Sequence, residues 1–226
     1  PGFVGLVSHL SKQLEQGVQT VQMGISAILC LILVLLAYDF GSEVQNQRLG
    51  RAMALASLGG LGLFLAFMDS HYTTLLALVF AFAFLLFAYR YLKEGLLADA
   101  IGAGLMLGAV VISHPDTTII LALGYIPWLL TMWFGRPRPT TRRWLVLAIG
   151  IPLIAVVAIL PWLWSIRDLL GADITSPFER DSSYWRGMLT FHGMMIPIIS
   201  IIGAVVGLGY RRQEAILAVG WMIVVL

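Results

Sequence analysis

The residues of this chain best placed to do chemistry lie in two short turns of similar composition. Asp69-Ser-His71-Tyr-Thr-Thr and Ser113-His114-Pro115-Asp116-Thr-Thr each set an imidazole within two residues of a carboxylate. In the first turn, Asp69 and His71 could act as orienter and base, or hold a divalent cation. In the second, Pro115 fixes the turn and Asp116 can cap the helix that follows. The free N–H groups at that helix N-terminus could receive a phosphate, with His114 adding charge or a hydrogen bond. Both turns also fit a plainer account, in which Asp and Ser cap the next helix and Tyr72 anchors at a membrane interface.

A third group lies in the loop from about 165 to 188. Arg180 and Arg186 could bind a lipid phosphate, and Tyr184 and Trp185 could stack on a sugar or sit among headgroups. Because Glu179 and Asp181 flank Arg180, the same loop also reads as self-neutralised. His192 falls in an apolar segment, where an imidazole could ligate a haem or a chlorophyll. The chain carries no HExxH, nucleophile elbow, P-loop or CxxC.

Membrane-spanning helices must position these groups. Hydrophobic residues make up 59% of the chain and charged residues 12%, against about 25% charge in a soluble domain. Seven apolar segments approach the roughly 20 residues that cross a bilayer: about 21–38, 52–68, 74–91, 96–113, 118–134, 144–164 and 189–210. An eighth starts near Ala215 and reaches only Leu226, so a fragment of a longer protein is expected. The expected fold class is all-α, a polytopic transmembrane bundle over 21–226 with an external loop at about 165–188. Ahead of it, Phe3, Leu6, Val7, Leu10, Leu14, Val18 and Val21 recur at helical spacing. Residues 1–20 therefore read as an amphipathic helix, lying in the outer interface or packed on a part of the longer protein outside this chain.

Charge sets the orientation. Arg48, Arg51, Arg90, Lys93, Arg136, Arg138, Arg142, Arg143, Arg211 and Arg212 fall in one set of loops, ten of the 14 Lys and Arg residues. Lys12, Arg167, Arg180 and Arg186 fall in the other. The positive-inside rule puts the larger set in the cytoplasm of a cell with a bacterial-type inner membrane. The two histidine turns and the 165–188 loop then share the outer face. The net charge of +2 implies no nucleic-acid partner, and the bilayer is the expected one. The single cysteine, Cys30, lies mid-span and supports neither a disulfide nor a Cys-based metal site. Gly104 with Gly108, and Gly203 with Gly207, have the spacing of close helix contacts, within a bundle or between copies. Pro127, Pro152, Pro161 and Pro197 should disturb their helices.

The order of these pieces resembles the C-type (GT-C) glycosyltransferase superfamily, in the branch related to dolichyl-phosphate-mannose and ArnT-like transferases. Pro1-Gly-Phe-Val-Gly-Leu6 resembles that family's outer "PGF-hydrophobic" start. Arg48-Leu-Gly-Arg-Ala-Met-Ala-Leu-Ala56 resembles its cytoplasmic "GRRxAxLA" segment. His71-Tyr-Thr-Thr-Leu-Leu-Ala77 resembles the "YPTLLA" turn, with Thr73 in place of proline. Gly104-Leu-Met-Leu-Gly-Ala-Val-Val-Ile-Ser-His-Pro115 resembles "GLLLGLAxLTHP", with His114 where "LTKY" has lysine.

The resemblance implies transfer of a sugar from a polyprenyl-phosphate donor on the outer face. It also implies a catalytic carboxylate in an external loop upstream of Pro1. Within the chain the expected pocket members are Asp69, His71, His114, Asp116, Arg180 and Arg186, with Tyr184 and Trp185 beside them. A different class of function fits the composition too, a non-catalytic accessory subunit packed among other subunits of a larger, energy-converting membrane complex. A transporter fits less well, since no span centre carries a charge.

Overall fold

A computed structural model describes residues 2–59, 72–134, 138–167 and 195–210. Among these the chain is helical, with no strand. The helices are α1 (Gly2–Leu14), α2 (Val18–Val44), α3 (Gln47–Gly59), α4 (Tyr72–Glu94), α5 (Leu97–Ser113), α6 (Pro115–Phe134), α7 (Thr141–Ser165) and α8 (Met195–Gly209).

Four helices are long and apolar enough to cross a membrane: Val18–Val44, Tyr72–Glu94, Thr117–Phe134 and Thr141–Ser165. The protein is thus a multi-pass membrane protein. α5 is equally apolar but has 17 residues. The spans expected at 52–68 and 189–210 lie partly outside the described residues, and the truncated eighth lies wholly outside them. The described structure therefore supports four of the seven expected spans by length.

Two compact units divide the chain. The first holds Pro1–Leu121 and Pro139–Ile159, and the second holds Ala122–Arg138 and Leu160–Leu226. In the first unit α4 is the central helix. Leu75, Ala77, Ala81, Phe84 and Ala88 are fully buried on it, and they point in several directions around the axis. Alanine at so many positions lets neighbouring backbones approach from more than one side, which suits a helix packed on both α2 and α5. α4 and α5 form a hairpin across Gly95 and Leu96, so the end of α5 returns to the end of the unit where α4 begins.

α2 and α3 form a second hairpin. The side chain of Asn46 caps α3, its Oδ1 accepting from Arg48 N–H at 3.0 Å and Leu49 N–H at 3.1 Å. Above the turn the two helices meet glycine to glycine. A Cβ on Gly41 would lie 2.9 Å from Gly50 Cα and 2.8 Å from Met53 Sδ.

The basic loops of the first unit gather at one end. Glu43 of α2 is held by Arg90 Nε at 3.2 Å and Lys93 Nζ at 3.1 Å, both from α4. Arg143 of α7 reaches the carboxyl end of α4. Its Nη1 donates to Leu92 O at 3.0 Å and Lys93 O at 2.9 Å, and its Nη2 donates to Glu94 O at 3.1 Å. Gly95 follows at φ 78°, the left-handed conformation that ends helices. These contacts fasten the turn regions after α2, after α4 and before α7 together.

α7 opens with Thr140 as its cap and passes through a π segment at Val146–Gly150. Pro152 follows, lacking the N–H that an α-turn would need there. Helices α6 and α7 continue through Pro127 and Pro161. Gly104 and Gly108 of α5 face this helix. A Cβ at Gly104 would meet the Ile154 side chain, and one at Gly108 would lie 3.1 Å from Ile159 Cγ2 and 3.3 Å from Ala155 O. Of the two readings of this glycine pair, packing inside the chain is the one realised.

α1 docks on the first unit. Phe3 and Val7 are 5% and 3% exposed, packed with Val21, Leu29 and Leu33 of α2 and with Leu75 and Val79 of α4. The Phe3 ring stacks on Tyr72 with centroids 5.6 Å apart. Glu15, at φ 53°, terminates the helix.

In the second unit Trp128 and Met132 are buried, and Tyr125 lies 5.7 Å from Trp128, ring to ring. The Arg167 guanidinium sits 4.5 Å from the Trp164 ring centre, an arrangement suited to a helix end among headgroups.

Candidate functional site

The turn between α5 and α6 is the part of the expected site that the described residues contain. Its geometry follows from three consecutive residue types. His114 N–H donates to Val110 O at 2.9 Å, closing the last turn of α5. His114 itself is extended (φ −159°, ψ 101°), so the chain leaves the helix at this residue. Pro115 then takes the first position of α6, where its missing N–H is no loss and its fixed φ suits the helix.

The cap was expected of Asp116. Asp116 instead occupies the second position of α6, and His114 makes the cap. The physical reason is Pro115: its fixed φ makes it the first helical residue, so the residue before it stands at the capping position. Thr117 N–H donates to His114 O at 3.1 Å and lies 3.4 Å from His114 Nδ1. Thr117 Oγ1 is 3.2 Å from the same nitrogen. The Thr117 N–H can only donate, so it assigns Nδ1 as the acceptor; the proton of the neutral ring then belongs on Nε2, and the Thr117 hydroxyl donates to Nδ1 as well. The imidazole is thus fixed through one nitrogen while the other remains a donor. Thr117 is buried, and the neighbouring Thr118 Oγ1 is buried with no hydrogen-bond partner among the described residues.

An imidazole cap can be tested by substitution. His114→Ala should lower unfolding stability in detergent micelles by about 1 kcal/mol, the usual worth of an N-cap, and His114→Asn should restore most of it. Equal denaturant midpoints for all three proteins would remove the cap from the account.

Tyr72 opens α4 at the same end of the first unit, because α4 and α5 are an antiparallel hairpin. Asp69 and His71 lie outside the described residues, as do Arg180, Tyr184, Trp185, Arg186 and His192. Of the expected pocket, the structure therefore places His114 and the backbone of Asp116. Among the described residues no three His, Cys, Asp or Glu side chains gather as a metal site.

At the opposite end the chemistry is that of fastening. Arg90, Lys93 and Arg143 are engaged with Glu43 and with the carbonyls that end α4. The sequence singled out these basic residues for topology alone. Gly95 just past the apolar α4, and the basic pair Arg142-Arg143 at the start of α7, are the local signals of the two halves of the clasp.

Comparisons with protein-family models, with curated proteins and with solved structures return no match to this chain.

Proposed function

We propose that this chain is the membrane domain of a GT-C-like glycosyltransferase that takes its sugar from a polyprenyl-phosphate donor on the extracytoplasmic face. The basic end of the first unit lies in the cytoplasm in this reading, by the positive-inside rule. The observation that carries it is the His114 turn. It sets an imidazole held at Nδ1 beside the opening turn of α6, at the end of the unit away from the Glu43, Arg90 and Lys93 cluster. His114 Nε2–H and the backbone N–H of Asp116 would meet the donor phosphate and stabilise it as it departs, since Pro115 has no N–H and that of Thr117 is taken by His114. A carboxylate, with Asp69 and Asp116 the candidates in this chain, would take the proton of the attacking hydroxyl. The order of the motifs along the chain supports the same reading.

The cap made by His114 also supports a second reading, a non-catalytic subunit of a larger membrane complex, because capping alone accounts for the residue. Binding of polyprenyl phosphate separates the two. Purified protein in lipid nanodiscs should bind polyprenyl phosphate at least tenfold more tightly than the corresponding polyprenol, about 1.4 kcal/mol. His114→Asn, which keeps the cap, should abolish most of that preference. Equal binding of phosphate and alcohol would leave the accessory role.

A further inference from the structure

The apolar arc of α1 is wider than the seam it buries. At about 100° per residue, Leu6, Leu10, Phe3, Leu14, Val7 and Val4 follow one another around about 160° of the helix, with Ser11 the one polar residue among them. Phe3 and Val7, in the middle of that arc, are buried on α2 and α4. Val4 and Leu6, which flank that pair at the edges of the arc, are not: Leu6 is 46% exposed and Val4 66%, and Leu14, in line with the pair at the far end of the helix, is 58% exposed. The remaining arc carries Ser8, Lys12, His9 and Gln13.

This distribution bears on what covers α1. A second protein helix would press on one continuous face. Here Val4 and Leu6 stand on opposite sides of the seam that Phe3 and Val7 fill, so a single helix could not reach both. A fluid apolar phase can, because it wets both flanks of a docked helix at once. Lipid tails also leave the polar arc facing water, as the composition of that arc requires.

We infer that α1 lies in the membrane interface, seated on the bundle through Phe3 and Val7, with Val4 and Leu6 inserted in lipid on either side. The partner of this surface is the bilayer itself. The inference rests on the multi-pass fold and not on the proposed transfer chemistry, so either can fail without the other.

Spin labelling of the whole chain in liposomes tests it. In a Cys30→Ala background, single cysteines are placed by Val4→Cys, Leu6→Cys, Ser8→Cys and Lys12→Cys. All four positions lie off the docked seam, so the labels leave Phe3 and Val7 in place. Labels at 4 and 6 should both collide severalfold more often with oxygen than with a water-soluble nickel chelate, at depths of about 5–10 Å. Labels at 8 and 12 should show the reverse. Nickel access at 4 and 6 equal to that at 12 would overturn the inference in favour of a water-exposed helix. Shielding of 4 or 6 from both reagents would overturn it in favour of a protein partner.

Discussion

Replacing Gly50 with alanine should destabilise the first unit by about 1–3 kcal/mol, the range for forcing a methyl group into a filled contact. The atoms it would meet are the Tyr38 carbonyl oxygen and Ser42 Oγ of the facing helix. The carbonyl is backbone and cannot rotate away, so α2 and α3 must separate. Ser42 Oγ is already buried without a hydrogen-bond partner among the described residues, which leaves that hydroxyl no ready alternative. Gly41→Ala should act in the same direction, because its Cβ would meet Gly50 Cα and the Met53 sulfur. The double variant should cost less than the sum of the two, since one separation of the helices relieves both. Unfolding by denaturant in mixed micelles reads this directly. In contrast, Gly203→Ala should leave the midpoint nearly unchanged, since nothing lies within 4 Å of a Cβ built there.

The second large effect is expected at Arg143. A helix leaves its last carbonyls without intrahelical partners, and one guanidinium serves three of them at the end of α4. A hydrogen bond to a charged group contributes about 1.5–3 kcal/mol, but this site is only partly buried, and three bonds to one side chain are not additive. Arg143→Ala should therefore cost about 2–3 kcal/mol. Arg143→Lys should recover little, because a single ammonium cannot spread over three oxygens as a planar fork does. Gly95→Ala should mimic part of the loss. Its φ of 78° disfavours a side chain, and a Cβ there would come within 2.9 Å of the Arg143 guanidinium. A wild-type midpoint for Arg143→Ala would show that the clasp adds nothing to the fold.

These two sites show what the sequence could and could not disclose. Hydropathy located the helices well: the segments expected at 21–38, 74–91, 96–113, 118–134 and 144–164 all fall inside described helices. Apolar length is a one-dimensional property, so it survives without knowledge of neighbours. The gathering of basic loops at one end was legible for the same reason, since each crossing reverses the side. Contacts between helices were harder. Gly104 and Gly108 advertise themselves by lying one turn apart on a single helix. Gly41 and Gly50 do not, because they lie on different helices and meet only once the chain folds back at Gln45 and Asn46.

The candidate site was legible in part. Ser113-His114-Pro115 announced a turn, but Pro115, expected within the turn, is already the first residue of α6. The capping residue was not legible, because Asp is the commoner cap and only the start of α6 at Pro115 puts Asp116 beyond the capping position. The amphipathic spacing of 3–21 was legible only in part: the helix it announced ends at Leu14, where Glu15 takes φ 53°, and Val18 and Val21 belong to α2. Periodicity says which face is apolar; only packing shows that Phe3 and Val7 on it are covered while Val4, Leu6 and Leu14 are not.

The wide turn of α7 carries a consequence for how that helix tolerates change. Its buried residues, Leu147, Ile151, Ala155 and Ile159, recur at every fourth position. In an unbroken α-helix such a stripe drifts by about 40° per step. The π segment at Val146–Gly150 winds more slowly and takes back part of that drift. It therefore acts as a phase adjuster between two fixed points, the guanidinium of Arg143 on one side and the glycine seam of α5 on the other. Loss of one residue within it would leave a regular helix whose two ends no longer address their partners together, although every remaining residue would be one that the helix already accepts.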